Sequence, residues 1–211
     1  MLFRSEAADT VMKSIPGIVA GEDEAYSNIT YALLLSGIAM QMIGNSRPAS
    51  GCEHHISHLI EMEPEKLAVK FPAMHGEKTG VASIYGITEY KRLAKIEDIT
   101  PYLSDYNPFP ADDLCSFFGK KLAPAILKEN EKDCLSAVTK ENLAKAWPTI
   151  RKLIGELPEA EVLEGLLVQL GAKHTLNEIG VTEADKDLLM KYSPMVRNRL
   201  TLMRMKRMIS C

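Results

Sequence analysis

One stretch decides how this chain is interpreted: Gly44-Asn45-Ser46-Arg47-Pro48-Ala49-Ser50-Gly51-Cys52-Glu53-His54-His55-Ile56-Ser57-His58. Pro48 and Gly51 indicate a loop. Ser50, followed three residues later by Glu53, has the pattern of a capping box, in which the serine hydroxyl accepts a hydrogen bond from the Glu53 amide. We therefore expect a loop that passes into a helix at about Gly51.

Four of the five histidines of the chain lie in this stretch or shortly after it. On a helix, His54 and His58 are four residues apart and share one face, whereas His55 points about 100° away. Two imidazoles on one face form half of a metal site, which then needs a third ligand from elsewhere in the chain. His75, in Met74-His75-Gly76-Glu77-Lys78, is the obvious candidate.

The same loop has the features of an anion site. Free amides and the helix dipole favour negative charge at a helix start. Arg47 and the hydroxyl groups of Ser46 and Ser50 come just before that start, so a phosphate group would fit beside the imidazole face. In the plainer alternative, Ser50 only caps the helix, Arg47 is solvated, and the histidines are polar residues on a half-exposed helix.

Composition predicts an all-α fold. Hydrophobic residues make up 46% of the 211 residues and aromatic residues only 6%, which favours helix packing over sheet. We expect a single domain over residues 1–211. The net charge of −3 predicts no binding to nucleic acid or anionic membrane. The four cysteines, Cys211 among them, form no disulfide framework, and residues 1–4 start no signal peptide. Together these features predict a cytoplasmic protein.

Apolar spacing predicts a series of helices joined by short loops. The second is apolar nearly all round, at Ile29, Leu33, Ile38, Met40 and Met42, so we expect it to be buried as a core helix. The last is basic and amphipathic; such helices bind membranes or partner proteins, or simply lay an apolar face on their own domain. The expected ranges are 4–19, 21–43, 51–63, 76–96, 112–128, 140–157, 159–170, 183–191 and 194–209.

The ordered motif Ser46-Arg47-Pro48-Ala49-Ser50-Gly51-x-Glu53-His54-x-x-x-His58, followed by His75-Gly76-Glu77-Lys78-x-Gly80-Val81, resembles a known family. It is similar to the NAD(P)-dependent sn-glycerol-1-phosphate dehydrogenases, and most similar to their bacterial branch. These enzymes belong to the superfamily of iron-containing alcohol dehydrogenases, glycerol dehydrogenases and dehydroquinate synthases. The resemblance runs from about Glu6 to about Arg204. It implies a multi-helix bundle like the C-terminal domain of that superfamily.

The resemblance also implies roles for individual residues. It assigns the catalytic divalent metal, zinc or nickel, to His54 and His75, and a catalytic, substrate-contacting position to His58. The substrate would be a small phosphorylated polyol, dihydroxyacetone phosphate or sn-glycerol 1-phosphate, used in phospholipid biosynthesis. Its phosphate would meet the loop and two arginines of an R-x-R-x-T pattern near the end of the chain. The phosphate-binding residues are then Ser46, Arg47, Ser50, Gly51, Arg197 and Arg199.

The chain departs from the family at its N-terminal side. Family members carry an N-terminal nucleotide-binding domain and an upstream metal-binding aspartate; neither is found here, and Asp9 lies too close to the loop to replace that aspartate. We expect the metal- and substrate-binding half of a dehydrogenase, with an incomplete site that binds zinc weakly and no turnover alone. NAD(P) would require a separate nucleotide-binding half, and a homo-oligomer is compatible with the resemblance. The alternative is a stand-alone helical phosphate-binding module without catalysis.

Overall fold

The computed structural model describes residues 2–210, with side chains from Glu6 onward; Cys211 lies outside the described residues. The all-α prediction is confirmed. Within residues 2–210 the only β pairing is one isolated antiparallel bridge between Leu103 and Ile209. The helices are α1 (Leu2–Ala20), α2 (Asp23–Ile43), α3 (Cys52–Met62), α4 (His75–Ala94), α5 (Ala111–Glu129), α6 (Lys140–Gly155), α7 (Ala160–Gln169), α8 (Lys186–Tyr192) and α9 (Leu202–Met205).

Helix α3 lies at the centre of the larger hydrophobic cluster. Its inner face carries Ile56, Leu59 and Ile60, each at most 1% exposed. Helix α4 packs against α3, and Gly86 allows the close approach, because a Cβ there would lie 2.7 Å from Cys52 Sγ. The opposite face of α3 is therefore left to polar residues at a fixed distance from the start of α4.

A second cluster joins the C-terminal segment to α4 and α6. Trp147 is 1% exposed at its centre, and its indole N–H donates to the Ile96 carbonyl oxygen at 2.9 Å. The remaining members are buried aliphatic side chains and Met208. Among the described residues, no helix combines the length and the apolar character that a bilayer crossing requires.

The prediction that α2 is buried is wrong. Helix α2 pairs with α1, and on α2 only Ala25, Ala32 and Leu35 are buried. The apolar residues that suggested a core helix are exposed instead: Leu33 by 67%, Ile38 by 47% and Met42 by 69%. One helical neighbour covers only one stripe of a helix, and the described chain places few other groups on the rest of α2.

Substitutions on α2 should therefore be mild. We expect Leu33→Gln and Met42→Gln each to change the free energy of unfolding by less than about 0.5 kcal/mol, since neither side chain is buried. As a matched core control, Leu59→Ala on α3 should cost about 2–5 kcal/mol. Urea unfolding followed by circular dichroism measures all three. If the two α2 variants lost as much unfolding free energy as Leu59→Ala, this helix would be buried in solution.

The predicted helix over 194–209 is also wrong. A short turn occupies Ser193–Met195, α9 covers only Leu202–Met205, and a further short turn follows at Lys206–Met208. The backbone between Val196 and Thr201 is irregular. The basic residues do not form one solvated face either, because Arg204 is completely buried.

Arg204 explains why this segment is not helical. Its guanidinium donates to the carbonyl oxygens of Pro194 and Arg197 at 2.5 and 2.9 Å, so those acceptors are used by a side chain rather than by helical amides. It also donates to Asp133 at 2.6 Å and to Asn130 at 2.7 Å. The network fixes the loop from Ser193 to Thr201 against the end of α5.

Candidate metal centre

Helix α3 presents three metal-ligand residue types on its outer face. His54, His58 and Glu61 follow a spacing of four and then three residues, which places them in one row on a helix. The side chains are 24%, 36% and 29% exposed, respectively. The row is therefore half-exposed, opposite the buried aliphatic face of the same helix.

His75 completes this group from α4, of which it is the first residue. Its ring centroid lies 5.4 Å from that of His54 and 5.4 Å from that of His58, and the two α3 rings are 6.2 Å apart. The start of α4 is fixed by Glu77, whose carboxylate accepts the Met74 amide hydrogen bond at 2.7 Å. The three histidines singled out in the sequence thus lie together in space.

Glu61 links two of these histidines. One carboxylate oxygen lies 2.8 Å from His75 Nδ1 and the other 3.1 Å from His58 Nδ1. The largely buried Lys78 places its ammonium 3.1 Å from the first oxygen. Burial alone would raise the pKa of Glu61, but the bonds from His75, Lys78 and His58 outweigh it and lower the pKa to about 2. Glu61 is therefore ionised at neutral pH.

These residues fit a divalent metal ion. His58, Glu61 and His75 each offer one ligand atom, and the three atoms lie within 4.8 Å of one another. Imidazole nitrogen and carboxylate oxygen are ligands of zinc and of neighbouring transition metals. His54 lies beside this group but is not a member of it. Its Nδ1 faces the Glu53 carboxylate at 2.9 Å instead.

The expected capping box is wrong in detail. Gly51, not Ser50, occupies the N-cap position, and no side chain caps the helix there. Ser50 has an extended backbone. Glu53 instead reaches back and accepts the Gly51 amide hydrogen bond at 2.6 Å. The helix start thus already holds a carboxylate, which takes up part of the capacity for an anion that the sequence predicts there.

The predicted anion-binding residues are only partly brought together. Arg199 donates to Ser46 Oγ at 3.1 Å and to Ser50 Oγ at 3.4 Å, although these partners are about 150 positions away in the sequence. Arg47 is exposed, and its amide hydrogen bonds to the Asn45 side chain. The Arg197 side chain is also exposed, and only its carbonyl oxygen joins the Arg204 network.

His55, the histidine without an assigned role, is a core residue. It is 1% exposed, and neither ring nitrogen has a hydrogen-bond partner among the described residues. Burial, with smaller contributions from Arg199 and Arg204, lowers its pKa to about 4, so the ring is neutral at pH 7. His55 therefore does not take part in the exposed histidine group.

Comparison with known proteins gives several relatives with the same description. The relatives are glycerol-1-phosphate dehydrogenases. The protein from Pyrococcus furiosus is 44% identical over 78 residues, which is 37% of this chain and 21% of the relative. The proteins from Geobacillus stearothermophilus and Halalkalibacterium halodurans are 28% and 26% identical over 83% and 91% of this chain. The resemblance indicated by the motifs is confirmed.

The matches cover only part of each relative. The aligned segments span 37% and 40% of the two bacterial relatives, so this chain corresponds to about two fifths of their length. No family model matches the chain. The name of the relatives includes NAD(P)+.

Glu61 is the site residue that sequence reasoning missed. The signal was present, because Glu61 follows His58 by three residues and His54 by seven, the spacing of one helical face. The sequence motif predicts histidine ligands on this face, but the family resemblance places the carboxylate ligand on an aspartate upstream of the Gly44–Gly51 loop. The interaction of Arg199 with Ser46 and Ser50 had a weaker signal, since no local pattern joins residues so far apart.

Proposed function

We propose that this chain is the metal- and substrate-binding part of a glycerol-1-phosphate dehydrogenase-like oxidoreductase. Its substrate would be dihydroxyacetone phosphate or sn-glycerol 1-phosphate, and a nucleotide-binding part would supply NAD(P)H. One observation carries this proposal: the first turn of α3 separates a histidine and carboxylate group from an arginine and serine group. A small phosphorylated polyol has one end suited to each.

The arginine and serine group would hold the phosphate. Arg199 carries a permanent charge and a planar fork of donors that matches phosphate oxygens. The hydroxyls of Ser46 and Ser50 already lie within 3.1 and 3.4 Å of its nitrogens and can donate to the same oxygens. The hydrogen bonds of Arg204 to the carbonyl oxygens of Pro194 and Arg197 keep the loop that carries Arg199 in place. With its phosphate bound to Arg199, the substrate would point its carbon end toward the histidines.

The histidine group would hold the metal and the reacting oxygen. A bound divalent metal ion supplies Lewis-acid polarisation of the substrate carbonyl. The resemblance assigns that ion to His54 and His75, whose ring centroids are 5.4 Å apart; ligand atoms of His58, Glu61 and His75 lie within 4.8 Å of one another beside them. Whichever of His54 and His58 does not bind the metal can hydrogen-bond a substrate hydroxyl and hold its proton. No glycine-rich nucleotide loop of the G-x-G-x-x-G type occurs in the sequence.

Two arginine variants test the substrate part of this proposal. Arg199→Met should weaken dihydroxyacetone phosphate binding by about 1.5–3 kcal/mol, roughly 10–150-fold, because a charge-assisted contact is lost. Arg197→Met is the matched control and should leave the affinity nearly unchanged, since Arg197 is exposed and the described hydrogen bonds to the two serine hydroxyls come from Arg199. Isothermal titration calorimetry of the folded chain measures both. Equal affinities for the two variants would contradict the assignment of Arg199.

The alternative function is a stand-alone phosphate-binding module without catalysis. The interaction of Arg199 with Ser46 and Ser50 favours it, because this group forms entirely within the described chain. Such a module would bind inorganic phosphate and dihydroxyacetone phosphate with similar affinity. A preference for dihydroxyacetone phosphate that disappears when divalent metal is chelated would favour the dehydrogenase proposal instead.

A further inference from the structure

A cavity of about 520 Å³ lies between the loop over residues 107–110, helix α8 and the C-terminal turn. Its volume is in the range of small-molecule sites. Side chains of two kinds line it, the apolar Phe109, Met190 and Met203 and the cationic Lys191, Lys206 and Arg207. None of its lining residues belongs to the histidine group or to the arginine and serine group, so it is separate from the proposed substrate site.

The ring of Phe109 holds two of the cations at this cavity. The Lys191 ammonium lies 5.7 Å from the ring centroid, and the guanidinium carbon of Arg207 lies 5.5 Å from it. Both distances are within the range of cation–π attraction. Lys191 belongs to α8 and Arg207 to the C-terminal turn, so one aromatic ring brings together cations from two separate elements.

The positive charge of Arg207 is only partly compensated. Its Nη1 donates to Asp133 at 2.6 Å, but Arg204 also donates to this carboxylate at 2.6 Å. The other described partners of the two guanidinium groups are neutral oxygen and sulfur atoms. Two arginines therefore share one negative charge. Because Arg204 is completely buried, the excess positive charge is available to a ligand at Arg207.

We propose that this cavity binds a small organic carboxylate with an apolar body. Arg207 offers a planar fork of donors that matches the two oxygens of a carboxylate, and Lys206 lines the cavity beside it. The apolar body would lie against Met190 and Met203, whose flexible thioether side chains adapt to ligands of different shape. This site goes beyond the proposed function and does not depend on it.

The surrounding charges favour a ligand with a single negative charge. Asp187 also lines the cavity, and the Lys191 ammonium is paired with Asp113 at 3.3 Å. A phosphate monoester carries about two negative charges at neutral pH and costs more to remove from water than a carboxylate does. One shared arginine charge does not compensate that cost. A neutral molecule of the same shape would gain no charge-assisted bond from Arg207.

Methyl nuclear magnetic resonance of the intact chain tests the site, with phenylacetate as the probe. Methionine labelled with carbon-13 at its methyl group reports on Met190 and Met203, and the variants Met190→Leu and Met203→Leu assign the two signals. We expect both signals to shift saturably as phenylacetate is added. Met42 on α2 is 69% exposed and lies outside the cavity lining, so its signal should stay in place. It therefore reports on unspecific binding to exposed apolar surface.

Changes of charge on the protein and on the ligand test the role of Arg207. Arg207→Gln should weaken phenylacetate binding about 10–150-fold, because a charge-assisted hydrogen bond is lost. Lys152→Gln, at an exposed position on α6, is the control and should bind as the parent does. Circular dichroism checks that both variants are folded. Phenylacetamide, which has the same shape without the charge, should bind the parent chain at least about tenfold more weakly.

Equal affinities of the parent chain for phenylacetate and phenylacetamide would overturn the inference, and this comparison needs no variant to fold. Tighter binding of phenyl phosphate than of phenylacetate would also contradict it. So would the absence of any shift at Met190 and Met203, or a shift at Met42 as large as theirs. A folded Arg207→Gln variant with the affinity of the parent would be a further contradiction. None of these outcomes bears on dihydroxyacetone phosphate binding at Arg199, which tests the proposed function separately.

Discussion

Replacing Arg204 with methionine should lower the free energy of unfolding by about 3–5 kcal/mol, the usual cost of removing one partner from a buried ion pair. Arg204 is completely buried, and its guanidinium bonds to Asp133, Asn130 and two carbonyl oxygens. Methionine fills much of the space but removes the guanidinium from all of these acceptors, of which Asp133 keeps its ion pair with Arg207. The free energy of unfolding, from denaturant melts, measures the loss.

An exposed ion pair provides the control. Lys140 pairs with Asp105 at 3.0 Å, but the two side chains are 39% and 83% exposed, so Lys140→Met should cost less than about 1 kcal/mol. The Arg204→Met variant should also show faster amide exchange over residues 196–201, because the loop loses its central donor. A change in Arg204→Met as small as that in Lys140→Met would mean that the network does not hold the C-terminal segment.

Local patterns in the sequence predict most of the helices. Apolar residues at helical spacing and glycine or proline at the ends identify α4, α5, α6 and α7 to within a few residues, because these features act within one helix. For example, the expected range 76–96 is found as His75–Ala94, with Val81 and Leu93 fully buried. Where helix formation depends on local periodicity and a stop signal, the sequence is sufficient.

Two errors have a common cause in tertiary contacts. Helix α2 has the composition of a core helix, yet its burial depends on whether a neighbour covers each side, and no local pattern contains that information. The segment from Ser193 to Thr201 has helical amphipathicity, but the Arg204 guanidinium takes the carbonyl oxygens that a helix would need. Here the hydrogen bonds of a side chain in α9 outweigh the local preference of residues 193–201 for a helix.

The candidate site shows the same limits. His54 and His58 on one face of α3 follow from their spacing, and the proximity of His75 follows from the family motif. The spacing of Glu61 also points to that face, but an acidic residue on an exposed helix face is too common to be selected without its contacts. The pairing of Arg199 with Ser46 and Ser50 depends on the fold alone, because it closes a long loop in the chain.

Reconstituted hydride transfer should show the largest functional effect. Correct positioning of two reactants contributes about 7–11 kcal/mol to lowering a reaction barrier. This chain has no recognisable nucleotide loop, so we expect it to hold the substrate without a hydride donor beside it. We therefore expect no detectable NADH or NADPH oxidation with dihydroxyacetone phosphate from the chain alone. A nucleotide-binding part should restore turnover by placing the nicotinamide next to the bound substrate.

The most direct measurement is the absorbance of NADH and NADPH in mixtures with dihydroxyacetone phosphate and zinc. The chain would be combined with the separately expressed part of the Geobacillus stearothermophilus relative that it does not match, after size-exclusion chromatography has shown that the two associate. We predict oxidation by the complex, none by either part alone, loss with His75→Ala and retention with His174→Ala. Oxidation by the 211-residue chain alone, or an associated complex that remains inert, would contradict the assignment of this chain as the metal- and substrate-binding part of a dehydrogenase.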